Sequence, residues 1–158
     1  MAQGSGTSFQ LVRAGADHLP VVAPLFDAYR QFYQQPPAPA ASAAFMRERL
    51  ERGDSVVFLA FDEEGPARRG LGFTQLYPTF SSVRLGRLWI LNDLYVAPEA
   101  RRRGVAQALL DRAAALGRET GALALQLETA QDNGPAKTLY EARGWRRETR
   151  WDLYELAL

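Results

Sequence analysis

The most informative stretch of the chain is Val96-Ala97-Pro98-Glu99-Ala100-Arg101-Arg102-Arg103-Gly104-Val105-Ala106-Gln107-Ala108-Leu109-Leu110. A β-rich run ends, Pro98 turns the chain, and three arginines precede Gly104 and a helical pattern. The first amides of a helix have no internal partner and lie at the positive end of its dipole. Such a terminus binds phosphate, and Gly104 with Ala106 lets an anion approach the backbone, while Arg101, Arg102 and Arg103 can add charge-assisted bonds at the rim. The spacing is not that of a P-loop, and the first glycine of the dinucleotide fingerprint is missing. On these residues alone, a solvated basic helix start is an equally good reading.

Other chemistries are excluded by residue type. Cysteine is absent, which removes disulfides, thiolate metal sites and cysteine nucleophiles. His18 is the one histidine, so no multi-histidine metal site can form and no metal ligand set is expected. It falls near a helix start, where it is expected to be exposed and without a chemical role. Nineteen Lys+Arg oppose eighteen Asp+Glu, and a net charge of +1 gives no pull toward nucleic acid or an anionic membrane. Lys137 is the only lysine, so the basic character is almost wholly arginine, suited to bidentate phosphate or carboxylate contacts. No apolar run reaches the roughly 18 residues needed to cross a bilayer, and a cytoplasmic location is the default. At 158 residues with 47% apolar content, the chain is expected to be one domain over residues 9–158 after a mobile leader, Met1 to Ser8.

The elements that must position the arginine turn follow from periodicity. Phe9 to Arg13 alternates as a first strand. Asp17 is expected to cap a helix from His18 to Tyr33 with Val22, Leu25, Phe26, Tyr29 and Phe32 on one face. Ser42 is expected to cap a second helix, Ala43 to Arg52, closed by Gly53. Ser55 to Phe61 and Leu71 to Tyr77 form a hairpin, and Arg87 to Val96 is a long central strand. A helix from Arg103 to Thr120 presents Val105, Leu109, Ala113 and Leu116 inward. Ala122 to Thr129 is a buried strand, Gly134 to Ala142 a short helix, and Trp145 with Trp151 to Leu158 the final strands. The order describes an α/β fold, a mixed sheet flanked by helices.

Two blocks in this frame resemble the GCN5-related N-acetyltransferase (GNAT) superfamily. Arg101-Arg102-Arg103-Gly104-Val105-Ala106 is similar to its Arg/Gln-x-x-Gly-x-Gly/Ala motif, after the strand Asp93-Leu94-Tyr95-Val96 and the Pro98 turn. Downstream, Asn133 to Trp145 resembles its Asn-x-x-Ala-x-x-x-Tyr-x-x-x-Gly-Phe/Trp signature. Leu91-Asn92-Asp93-Leu94-Tyr95 looks like the Glu-Asp-Phe/Leu-Phe/Tyr-Val segment of the diamine (spermidine/spermine) acetyltransferase branch, with Asn92 where that branch has a glutamate.

The resemblance implies acetyl-coenzyme A as donor. Its pyrophosphate would sit on backbone amides from Arg102 through Gln107, Val105 included. The central strand would splay from its neighbour at a bulge, freeing main-chain groups of Leu94, Tyr95 and Val96 for the pantetheine arm and acetyl carbonyl. Asn133 and Ala136 match positions that contact that arm. Tyr140 matches the tyrosine beside the donor sulfur, a general acid for the departing thiolate; without the motif it would read as plain core.

The attacking amine must be neutral, so a base is needed. Asp93 and Glu128 are candidates, expected one on each central strand. Asn92 cannot accept a proton at neutral pH but can orient an amine or water, and strict alternation puts Asn92 and Asp93 on opposite faces. In the resembling branch the first helix and following loop line the acceptor pocket, here Asp27, Tyr29, Tyr33 and the Pro36-Pro37 turn. A carboxylate among aromatics suits a cationic amine, and a solvated Asp27 beside a packed stripe is the competing reading. Trp151 and Tyr154, on an alternating terminal strand, are expected at a homodimer interface. The expected activity is acetyl transfer to a small primary amine, polyamine-like or amino-acid-like; the alternatives are a protein-lysine (histone-type) acetyltransferase and a non-catalytic coenzyme A sensor.

Overall fold

The computed structural model describes residues 9–62 and 68–158; the expected leader and residues 63–67 lie outside them. They form two compact units, one ending at Leu127 and one spanning Glu128–Leu158. The first contains β1 (Gln10–Arg13), α1 (Leu19–Phe32), α2 (Pro39–Arg52), β2 (Val56–Asp62), β3 (Arg69–Ser81), β4 (Gly86–Val96), α3 (Val105–Glu119) and β5 (Ala124–Gln126). The five strands form one sheet in sequence order, antiparallel through β4, with β5 parallel to β4. This is the mixed sheet with flanking helices that the sequence predicts.

Burial follows the predicted stripe in α3 but not every expectation: Phe32, expected on the packed face of α1, is 53% exposed, and β5, expected to be buried, is only partly covered. Val56 to Phe61 of β2 are all buried, without alternation, as in a strand covered on both faces. Phe73 packs edge-on against Phe26 and Tyr29 of α1, so that face carries α1 and α2. Phe58 faces α3, whose Arg112 guanidinium lies 4.5 Å above its ring. Val105, Leu109, Ala113 and Leu116 of α3 are buried as predicted, with Leu110 beside them.

Several local expectations are corrected. Asp17 caps nothing: a 3-10 turn, Ala16–His18, leads into α1, and His18 Nδ1 accepts the Gly15 N–H at 3.0 Å. That bond draws the His18 side chain under cover, at 15% exposure, with Asp17 beside it. α2 starts at Pro39, whose fixed φ suits a first helical position, and Ser42 lies buried inside the helix rather than at its cap. Gly53 does close it, in the left-handed region at φ 62°. β3 runs through Pro78 to Ser81, because its β2 pairing ends at Leu76 and the missing proline donor faces an open edge.

β5 is shorter than predicted. It pairs with β4 only at Leu88↔Ala124, Trp89↔Leu125 and Ile90↔Gln126, and β4 continues to Val96 beyond its last β5 partner. In the second unit, α4 (Gly134–Ala142) forms as predicted, but no strand forms at Trp145 or over Trp151 to Leu158. The Glu148 carboxylate accepts the Arg150 backbone N–H at 2.8 Å, a local bond that competes with ladder pairing, and this unit holds no strand to pair with.

Candidate active site

A bulge in β4 creates the site. Gln75 pairs with Asp93 and Leu76 with Leu91, so Asn92 is the extra residue. Leu91 is buried in the sheet and Asp93 is brought beside Gln75 on the α1–α2 face. Strict alternation fails there: Asn92 and Asp93 line the same cleft, and Asn92 Nδ2 donates to Asp93 Oδ1 at 2.9 Å. The cleft, about 410 Å³, has an aromatic wall of Phe26, Tyr29, Phe45 and Tyr77. Its polar groups include Arg30 of α1 together with Asn92 and Asp93 of β4.

Asp93 is only 2% exposed. Burial pushes its carboxyl above the usual carboxylate range, while hydrogen bonds from Gln75, Asn92 and Tyr29 pull it back. The Gln75 amide donates to Asp93 Oδ2 at 2.6 Å and accepts the Ser55 hydroxyl at 2.8 Å. Burial, and then the Asp93 charge, push Tyr77 up to about 12, so its phenol stays protonated. Tyr29 donates its hydroxyl to the Asn92 carbonyl at 3.2 Å, fastening α1 to the bulge.

Asp27 is 7% exposed and lies outside the cleft lining. Its carboxylate accepts from Ser42 Oγ at 2.6 Å, the Ala38 N–H at 3.0 Å and Gln31 Nε2 at 3.0 Å. These bonds, Ser42 foremost, hold its carboxyl below the usual range and tie α1 to the start of α2. The carboxylate among aromatics is therefore Asp93, not Asp27. Tyr33 is 42% exposed, stacks edge-on with Tyr29 and Phe32, and is not part of the lining.

At the other end of β4, Gly104 takes φ 79° at the start of α3, and no side chain caps that terminus. The amides of Val105, Ala106 and Gln107 precede the first intrahelical bond, from Ala108 N–H to the Gly104 carbonyl. Arg101 and Arg102 are exposed, whereas Arg103 donates to both Asp62 oxygens at 3.1 and 2.6 Å. On the β5 side, Leu94, Tyr95 and Val96 lie beyond the last ladder partner. An uncapped helix start beside an open strand edge fits a diphosphate followed by an extended amide-bearing arm.

In the second unit, Asn133 caps α4 by accepting the Ala136 N–H at 3.4 Å. Tyr140 is half-buried with its ring 6.1 Å from that of Trp145. Glu128 is exposed and not on a strand, which corrects the expectation that it sits on the second central strand.

The acetyltransferase (GNAT) family model matches residues 22–145. The chain belongs to the GNAT family. As a GNAT enzyme it is an acetyl-CoA-dependent acetyltransferase. It is 44% identical over 81% of its length to a Bacillus subtilis (strain 168) protein, "uncharacterized N-acetyltransferase YhfO", of which it covers 83%. A Caenorhabditis elegans "thialysine N-epsilon-acetyltransferase" is 28% identical, covering 85% of this chain and 81% of that protein. A crystal structure of "a probable acetyltransferase" superposes with a TM-score of 0.87 at 45% identity, covering 94% of this chain and 97% of that one. Within this GNAT acetyltransferase, sequence reasoning missed Arg30, Phe45, Gln75 and Tyr77 as cleft or supporting groups. Only Gln75, a polar residue inside an apolar strand run, carried a signal.

Proposed function

We propose that the chain acetylates a primary amine of a small molecule, polyamine-like or amino-acid-like, in the cleft between α1, α2 and β4. The observation that carries this reading is a buried carboxylate with raised proton affinity, Asp93, at an aromatic wall. An alkylammonium with a pKa of about 10.4 must lose a proton before it can attack, and a base drawn toward neutrality serves better than an ordinary carboxylate. Phe26, Tyr29, Phe45 and Tyr77 suit the cation and its methylenes.

Acetyl-CoA supplies the acetyl group as a thioester. The amides of Arg102 to Gln107 and the exposed Arg101 and Arg102 would hold its diphosphate, and the main chain of Leu94 to Val96 its arm, with Asn133 and Ala136 in the roles the family motif gives them. Asp93 takes the ammonium proton, directly or through water, and Asn92 orients the amine. The amine nitrogen would bond the acetyl carbon as the carbon–sulfur bond breaks, Tyr140 would give its phenolic proton to the departing sulfur, and the second proton, shed by the new amide nitrogen, would pass through water to restore the phenol. We assign the base role to Asp93 over Glu128 because only Asp93 is buried and lines the cleft. Asp27 positions the two helices that form the cleft.

Exposed Trp151, Leu153, Tyr154 and Leu156 support a homodimer, which light scattering tests. Among the described residues no helix is long and apolar enough to cross a membrane; the proposed location is cytoplasmic.

The central test is thiol release from acetyl-CoA over an amine panel. Turnover that falls about 10²- to 10⁴-fold in Asp93→Asn and Tyr140→Phe, with donor affinity kept, supports the reading. Tight donor binding with no thiol release across the panel overturns it in favour of a sensor.

A further inference from the structure

We propose that Arg30 forms an anion subsite in the acceptor cleft, so that the acceptor carries a carboxylate as well as the amine that is acetylated. The inference rests on the proposed use of that cleft for the acceptor and separates amino-acid-like from polyamine-like substrates.

The cleft lining is polarised. Its β4 side offers acceptors, the Asp93 carboxylate and the Asn92 side chain, whereas on α1 it offers a guanidinium, which has five donors and no acceptor. An acceptor molecule with ammonium groups at both ends would set one of them against Arg30, with like charge and no hydrogen bond possible. A carboxylate there meets a donor fork of matching shape.

Arg30 has donors to spare. Its contacts run through one nitrogen, Nη1, to Asp27 Oδ1 at 3.4 Å, the Pro36 carbonyl at 3.3 Å and Ser42 Oγ at 3.5 Å. All three are long for a charge-assisted bond. Asp27 is already taken up by shorter bonds from Ser42, Ala38 and Gln31, so its ion pair with Arg30 is a loose one. The side chain keeps 27% of its surface exposed in a cleft wall. A loosely matched guanidinium with Nε and Nη2 uncommitted among the described contacts is suited to a second anion. The same lining carries Phe26, Tyr29, Phe45 and Tyr77, apolar surface suited to an aliphatic spacer.

The test uses pairs differing only by the carboxylate: lysine against cadaverine, and 6-aminohexanoate against pentylamine. Binding to the coenzyme A-loaded protein is read by calorimetry, and thiol release from acetyl-CoA is followed in parallel. The inference expects the carboxylate-bearing member to bind about tenfold tighter, the ratio to collapse toward one in Arg30→Gln, and Arg30→Lys to restore part of it. Equal binding within each pair, preference for the decarboxylated member, binding of neither, or an unchanged ratio in Arg30→Gln each overturns it. The wild-type comparison stands even where a variant misfolds. Carboxylate preference without thiol release for any acceptor overturns the transfer reading and leaves the anion subsite in place.

Discussion

The side-chain amide of Gln75 donates to Asp93 Oδ2 across 2.6 Å, with its own carbonyl held by the Ser55 hydroxyl at 2.8 Å. The ionised Asp93 carboxylate can only accept, so it selects the NH2 end of the amide, and the Ser55 hydroxyl donates to the carbonyl end that is left. Gln75 is fully buried, and its amide contributes one of the bonds that keep Asp93 ionisable in an apolar wall.

Replacing Gln75 with Leu removes that bond and leaves Ser55 without its acceptor. A bond to a charged group contributes about 1.5–3 kcal/mol, and about 1.4 kcal/mol is one pH unit. The acid limb of kcat/KM is therefore expected to move up by about one to two pH units, with KM for acetyl-CoA unchanged. A pH–rate profile of the variant checks this; an unmoved limb removes Gln75 from the account.

The raised proton affinity of Asp93 has a stability counterpart. Folded Asp93 holds its proton to higher pH than unfolded Asp93 does, so its contribution is fully present below the unfolded value of about 3.9 and is lost as pH rises through the folded value. Relative to Asp93→Asn, the wild type is expected to lose thermal stability on going from pH 4 to pH 7. Paired melting curves across that range measure the difference; a flat difference contradicts the burial argument.

The three arginines at the α3 turn are not equivalent. Arg103 forms a two-pronged, mostly buried ion pair with Asp62, whose carboxyl that arginine holds below the usual range. Arg103→Ala is expected to cost about 2 kcal/mol, between the values for exposed and buried pairs. A lowered folded pKa stabilises above the unfolded value and is lost as pH falls through the folded one, so the deficit shrinks below about pH 4. Arg101→Ala and Arg102→Ala are expected instead to leave the melting point in place and weaken acetyl-CoA binding about tenfold, more so at low salt. Calorimetry and melting curves on the three variants separate the roles.

Gly72 sits where β3 passes β4 at close quarters. A Cβ there would meet the Tyr95 carbonyl oxygen at 2.6 Å and Val96 Cα at 3.2 Å. Gly72→Ala is expected to cost about 1–3 kcal/mol and to weaken donor binding by shifting the Tyr95–Val96 main chain. Gly134→Ala meets nothing within 4 Å and serves as the control. Equal melting points and donor affinities for the two variants would show that this strand edge tolerates displacement.

What could be read from the chain beforehand divides along the range of the interactions involved. The α3 stripe, the Gly53 stop and the Gly104 turn depend on neighbours a few residues away, and they form as expected. Ser42 reads locally as a cap, but its hydroxyl answers to Asp27, fifteen residues back on another helix. The bulge at Asn92 is invisible to alternation, because it arises from the register with β3. It places two polar groups in one cleft where periodicity would separate them. Pro78 likewise reads as a terminator until the early end of β2 shows that its edge is unpaired. Of the aromatic wall, Tyr29 is expected at the pocket through the family resemblance, Phe26 belongs to a packed helix face, and Phe45 and Tyr77 carry no such expectation, since no local signal distinguishes a side chain packed on a neighbour from one left at a cleft.

The β4–β5 ladder is a short joint. Three paired residues on each strand hold the two together, and the Trp89 indole, pinned to Thr120 Oγ1 at 2.9 Å, braces that joint from α3's end. Leu125 presses against Gly117, where an added methyl would come within 2.5 Å of it. Beyond Ile90 β4 has no β5 partner, so the placing of its Leu94–Val96 edge relative to β5 rests on this three-residue joint and the side chains packed on it. Substitutions at Trp89, Gly117 or Thr120 would therefore act on that edge from a distance, while every proposed reacting group stays the same.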